Sequence, residues 1–272
     1  MFLVSCLFLI IAILSLWIHR SFWIWGSLLT SSLVFAQLSK QLSSYGLIAI
    51  FLVIFLFWLL SKNITGLVRF GLAITALFFS ATLFSCLAPG IPACFSFMNI
   101  QINYSKILVT LPLLGFCIPI LSYRTMSSFF VTRYFLFSIL GAFCVIGAGH
   151  FLCKNSFSLH FPSTFILSLF IYFICLIIPE ESLFRGFLQK ELLPWVGKGW
   201  IAHVAVCAIS AGLSTVFHSI WISNLSFLAL TFIASLVYAT VYQVTKIIEV
   251  SIFCRFITSL LYYFVLSGKE FL

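Results

Sequence analysis

The sequence predicts an all-α fold, a polytopic transmembrane helical bundle of about 8–10 helices. Three observations carry that expectation. The 272 residues are 63% hydrophobic and only 7% charged, far below the roughly 25% charged residues of soluble domains. Apolar stretches of about 17 to 22 residues, each long enough to cross a hydrocarbon core of about 30 Å, recur from end to end. The fourteen Lys and Arg residues stand mostly singly at the ends of those stretches, as topology signals do. The net charge of +9 therefore does not indicate a nucleic-acid partner, because no basic cluster gathers on one segment. The expected surroundings are the lipid bilayer, and the expected location is integral to a membrane, multi-pass.

Taken in order, hydropathy places helices near 2–18, 21–39, 44–61, 69–88, 107–122, 134–153, 163–188, 201–221, 225–245 and 247–266. The first has no basic segment before it and no small-residue cleavage site, and His19 and Arg20 follow it. It reads as a retained helix rather than a signal peptide. The longest polar interruption, "PGIPACFSFMNIQINYSK" at 89–106, separates an N-terminal group of helices from a C-terminal one. No internal repeat is visible.

Basic residues in alternate loops number eight on one side (Arg20, Lys62, Arg69, Arg124, Arg133, Lys190, Lys198, Lys246) and four on the other (Lys40, Lys106, Lys154, Lys269). The positive-inside rule then puts both termini outside and the loop after Lys190 in the cytoplasm. The first six helices carry few polar residues beyond Ser, Thr, Gln37 and His150. The chain therefore divides, as an expectation, into N-terminal scaffold helices (1–160) and a catalytic helical core (161–272). Nine cysteines (Cys6, Cys86, Cys94, Cys117, Cys144, Cys153, Cys175, Cys207, Cys254) form no CxxC and fall mostly in apolar runs. They read as small core residues, not as a disulfide or zinc framework.

The chemistry lies beyond position 175. There are five acidic residues, Glu180, Glu181, Glu191, Glu249 and Glu270, and no Asp. Intramembrane aspartyl proteases, which need two aspartates, are thereby excluded, and the absence of HExxH excludes the membrane zinc proteases that carry it. In "IIPEESLFRGFLQKE" two glutamates follow Pro179 inside an apolar run that continues beyond them. Ionisable groups at membrane depth are costly and point to function, and adjacent carboxylates need a compensating cation. Arg185, four residues on, is placed to pair with Glu181. Glu180 then lies about 100° round the helix, apart from that pair, where a general base is needed.

On the next helix His218 follows about four turns of apolar and small residues, among them Ser210, Ala211 and Gly212, which permit close helix approach. The last helix carries Arg255 in "SIFCRFITSLLYYF", with Ser259 one turn later. A buried arginine there demands a carboxylate, an oxyanion or water. Glu249 and the Glu180 pair are its candidate carboxylates.

Together these residues resemble the CPBP family of intramembrane proteases, which contains the CAAX prenyl endopeptidases. The first motif, EExxxR, is intact as Glu180, Glu181 and Arg185, followed by the usual Gly186. Of the second, FxxxH, His218 is present and Ser214 holds the Phe position. The third falls on Phe232, Ser235, Ala239, Val241, Tyr242 and Thr245, with Ser235 and Ala239 replacing two glycines. The fourth, HxxxN, falls on Arg255 and Ser259, so both of its residues depart from the pattern.

The resemblance covers roughly 165–265. It implies an endopeptidase acting on a membrane-associated, lipidated or CAAX-like protein substrate. In that pattern Glu180 is the base, His218 its partner, and Glu181 with Arg185 a structural pair or secondary acid. Arg255 and Ser259 stand where the oxyanion donors belong. No cofactor is expected, since a divalent metal would find only Glu180, Glu181 and His218, a poorly furnished set.

Arg255 has two readings. It stabilises the oxyanion, or it pairs with Glu180 and disables the base. Three other functions compete. Ser214 and His218 at i, i+4 form a faint serine-protease pattern, but Thr215 stands where a rhomboid-type enzyme has Gly. A degenerate family member would act as a partner-binding or immunity-type membrane protein. A transporter would need matching broken helices in two halves, which are not apparent. His150, His160, His203 and Gln243 are assigned to interhelical hydrogen bonds or interface positions.

Overall fold

The computed structural model describes residues 2–18, 21–85, 95–97, 100–102, 104–118, 133–153, 165–220 and 223–266. Apart from a short antiparallel hairpin, β1 (Phe95–Phe97) with β2 (Ile100–Ile102), the regular structure in these residues is helical. All ten helices expected from hydropathy are present. The chain forms two compact units, one made of Met1–Tyr123 and Ile174–Leu183 and the other of Arg124–Phe173 and Phe184–Leu272. This division differs from the 160/161 boundary expected from the sequence.

The first unit contains α1 (Phe2–Ile18), α2 (Phe22–Leu38), α3 (Ser44–Leu60), α4 (Gly66–Phe84) and α5 (Tyr104–Pro112), the last extended by a π-helical turn over Leu113–Cys117. α1 and α2 pack along each other, and α5 touches all four preceding helices. Every residue of α5 is buried, so its polar side chains need partners inside the protein. Its π turn contains Gly115, where an added Cβ would lie 2.7 Å from Cζ2 of Trp25. Trp25 is itself buried and packed edge-on by Phe22 and Phe116. Overpacking such a site costs about 1–3 kcal/mol. Gly115→Ala is therefore expected to lower the thermal unfolding midpoint in detergent, whereas Gly71→Ala, where a Cβ meets nothing within 4 Å, is expected to leave it unchanged.

The second unit contains α6 (Arg133–Cys153), α8 (Trp200–Ser219), α9 (Leu225–Thr245) and α10 (Ile248–Leu266). α8 packs on α9, and α6 packs on both α9 and α10. Gly141 allows this approach, because a Cβ there would stand 2.9 Å from Cys254 Sγ and 3.0 Å from Val237 Cγ1. Ser138 fixes the register by donating to the Val250 carbonyl at 3.0 Å.

One helical run, α7, spans 165–196 and contributes its middle to the first unit and its two ends to the second. It was expected to stop near 188. It continues to Val196 and ends where Gly197 and Gly199 adopt φ of 117° and 101°, conformations open to glycine at little cost.

Four helices, Gly66–Phe84, Tyr134–Leu152, Trp200–Ser219 and Leu225–Thr245, are long and apolar enough to cross a membrane. α1, α2 and α3 are 17 residues each, near the short end of spanning lengths. Large apolar side chains such as Phe51, Phe78, Leu140 and Val216 face outward, an arrangement suited to acyl chains rather than water. Cys6, Cys175, Cys207 and Cys254 are buried as expected; Cys144 instead lies on an exposed face.

Candidate active site

The site is organised by α7. Its segments run Phe165–Tyr172 (α), Phe173–Ile177 (π), Ile178–Glu181 (α), Ser182–Gln189 (π) and Lys190–Val196 (α). Pro179 lacks an N–H and crowds the preceding turn, which accounts for the wider turn just before it. π segments in α-helices often mark functional sites. All eight residues from Ser182 to Gln189 are buried, so the polar side chains among them need partners inside the protein.

In the first unit Glu180, 1% exposed, forms an ion pair with Lys106, 5% exposed. Lys106 Nζ donates to Glu180 Oε1 at 2.6 Å. This corrects one expectation. Lys106 is not a loop residue marking topology, because it lies inside α5. Nor was Lys106 foreseen as a partner of Glu180, which was expected only to stand apart from the Glu181 and Arg185 pair or to meet Arg255. The placement of Lys106 is secured by its neighbours. Tyr104 Oη lies 2.6 Å from Ser5 Oγ and 2.9 Å from Ser32 Oγ, and Ser105 Oγ donates to the Leu83 carbonyl at 2.5 Å. The Lys106 ammonium also lies 6.0 Å from the centroid of the Phe84 ring. Glu181 is fully buried.

In the second unit Arg185 is 0% exposed. Its Nη1 donates to Ser210 Oγ of α8 at 2.7 Å and its Nη2 to Ser235 Oγ of α9 at 2.8 Å. Ser210 in turn donates to the Phe184 carbonyl at 2.9 Å. The expectation paired Arg185 with Glu181 on α-helical spacing; the structure adds these two serine partners from other helices, and the backbone turns from α to π bonding, i to i+5, after Glu181. One turn along, Gln189 Nε2 donates to the Ala239 carbonyl at 2.9 Å and to Gln243 Oε1 at 3.0 Å. Gln243 thus makes the interhelical bond expected of it. His203 is half-buried on α8, His150 is exposed, and His160 lies outside the described residues.

His218, also in the second unit, is half-buried, and its Nδ1 lies 2.7 Å from the Ser214 carbonyl oxygen. A carbonyl only accepts, so Nδ1 carries the proton, and in the neutral form of the ring the lone pair is on Nε2. The bond runs to the backbone of Ser214, not through a nucleophilic hydroxyl, which gives the serine-protease pattern no support. On α10, Arg255 is buried with its guanidinium carbon 6.0 Å from the centroid of the Tyr238 ring, and Ser259 is half-buried. Glu249 is buried at the start of the same helix.

A divalent cation fits this donor set poorly. Among the described residues no three His, Cys, Asp or Glu side chains converge to hold one, and Glu180 already binds an ammonium.

Sequence reasoning missed Lys106 as a site residue, although "NYSKILVTLP" sets a lysine directly before an apolar run. Ser210 and Ser235 were recognised only as small residues, yet both are acceptors for Arg185.

Fold and site together define a polytopic helical membrane protein whose EExxxR motif is buried. Residues 162–261 match the family described as Type II CAAX prenyl endopeptidase Rce1-like, so this part of the chain is similar to that family. No curated protein and no solved structure shows detectable similarity to the chain.

Proposed function

We propose that this protein is a membrane-embedded endopeptidase that hydrolyses a peptide bond of a membrane-associated, CAAX-like protein. Region 161–272 is its catalytic core and the helices of 1–160 are scaffold, with Lys106 the exception. Glu180 is the base that deprotonates water and His218 its partner. Glu181 and Arg185 maintain the motif, and Arg255 with Ser259 donates to the developing oxyanion.

The observation that carries this reading is Glu180 itself, a carboxylate almost wholly buried, whose pairing with Lys106 offsets the burial that would otherwise keep it protonated; a further cation at the same carboxylate, as in the second reading of Arg255, would over-stabilise the charge and weaken the base. Burying an ion pair is costly, and a general base must be shielded from bulk water while keeping its charge. The Nδ1 bond of His218 supports it further, since it leaves Nε2 able to accept a proton.

The test compares new peptide N-termini in membranes of cells producing the wild type, Glu180→Gln or Arg255→Ala. Fragments present with the wild type and absent with Glu180→Gln are the expected result. If no fragment depends on Glu180, the reading fails. For Arg255→Ala a loss of about 10²–10³-fold in turnover is expected, the effect of removing one oxyanion donor. Arg255→His, which restores the family's residue, is expected to retain most activity. A rise in turnover for Arg255→Ala would mean that this arginine restrains the base instead.

A second reading is favoured by Arg255 and Ser259 themselves, which stand where the family has His and Asn. In it the chain is a degenerate member acting as a partner-binding or immunity-type membrane protein, and Glu180→Gln leaves its cellular effect intact.

A further inference from the structure

We propose that Lys106 is a positioning residue for Glu180, contributed by α5 from outside the region that matches the protease family. The inference rests on the reading of Glu180 as the base. Lys106 Nζ meets Glu180 Oε1 at 2.6 Å, the short range of charge-assisted hydrogen bonds, and both side chains are almost inaccessible.

Stability alone does not explain such a pair, because apolar residues of similar volume often serve a core as well. What an ion pair adds is a fixed orientation of the carboxylate. The lysine can provide one because its own backbone is immobilised. Three successive residues make buried polar contacts with four helices: Tyr104 with Ser5 of α1 and Ser32 of α2, Ser105 with the Leu83 carbonyl of α4, and Lys106 with Glu180 of α7. The next turn adds Thr110, whose hydroxyl donates to the Lys106 carbonyl at 2.6 Å. α5 therefore presents one ammonium, at one place, to the first motif glutamate. In this way the N-terminal helices do more than fill space: they supply a cation that meets Glu180.

The experiment uses the full chain in detergent and in native membranes. Thermal unfolding midpoints are measured for the wild type, Lys106→Met, Glu180→Gln and the double variant. Each single variant is expected to unfold at lower temperature, and the double variant is expected to recover most of the loss, since neither charge is then left alone. Effects that merely add would overturn the pairing.

Turnover is then followed on the fragments whose formation depends on Glu180. Lys106→Met is expected to lower kcat by about 10²-fold, the effect of a misplaced catalytic group, with KM nearly unchanged. Lys106→Gln, which keeps a donor without charge, is expected to recover part of it. Should Lys106→Met not fold, Lys106→Gln against the wild type carries the same comparison, and a partial loss confined to kcat is expected. Unchanged turnover, a loss confined to KM, or a loss that tracks only the amount of folded protein would overturn the positioning role while leaving the protease reading intact. If no fragment depends on Glu180, both fall together, although the unfolding measurement still reports the ion pair.

Discussion

Glu180→Gln is expected to lower turnover by about 10²–10⁴-fold, the contribution of a well-placed general base. The amide matches the carboxylate in volume and can still accept from Lys106, so the cavity around position 180 stays filled. What it cannot do is take a proton from water. Some of the loss will come from folding, because the substitution leaves the buried Lys106 ammonium without a counter-charge. The double variant Glu180→Gln with Lys106→Met separates the two contributions. It is expected to fold nearly as well as the wild type and to remain inactive, and restoration of turnover in it would sink Glu180 as the base.

Arg185→Ala is expected to be the most destabilising single substitution in the second unit, costing about 3–5 kcal/mol. Truncating a large, fully buried side chain leaves a cavity, and removing its donors leaves two serine hydroxyls without them. The guanidinium ties α7 to α8 through Ser210 and to α9 through Ser235, so its loss loosens three helices at once. Arg185→Lys keeps the charge, but a compact ammonium lacks the planar fork that reaches two acceptors, and an intermediate loss is expected. The measurement is thermal unfolding in detergent together with yield in the membrane fraction. Wild-type stability for Arg185→Ala would show that the two bonds contribute little.

Helix positions were legible in the sequence because hydropathy is a local property. The expected segments 2–18 and 225–245 coincide with α1 and α9, and most others differ by a few residues. α7 was the exception, since the hydropathy pattern carries no sign that the residues on either side of Ile178–Glu181 would fold as π turns. The first motif was equally legible, because adjacent glutamates in an apolar run stand out by composition alone. The family resemblance was carried by the same few residues and the spacing of four motifs.

The partners of those residues were not legible. Arg185 was expected to pair with Glu181, four along the helix; the hydroxyls its guanidinium also reaches, Ser210 and Ser235, lie 25 and 50 residues away. Ser235, read as a small substitute for a motif glycine, supplies an acceptor that glycine lacks. The cation for Glu180 lies 74 residues away in a stretch that scored as a polar loop.

What the sequence by itself determined is that the chain is helical, belongs in a membrane, and places its two adjacent glutamates in the apolar run after Pro179. Composition and local order suffice for that, because water and lipid sort side chains one at a time. Only the tertiary structure decided which cation meets Glu180 and which hydroxyls hold Arg185. Buried charges find partners through space, and in a low-dielectric interior a contact of 2.6 Å between distant segments outweighs any neighbour along the chain that does not reach as close.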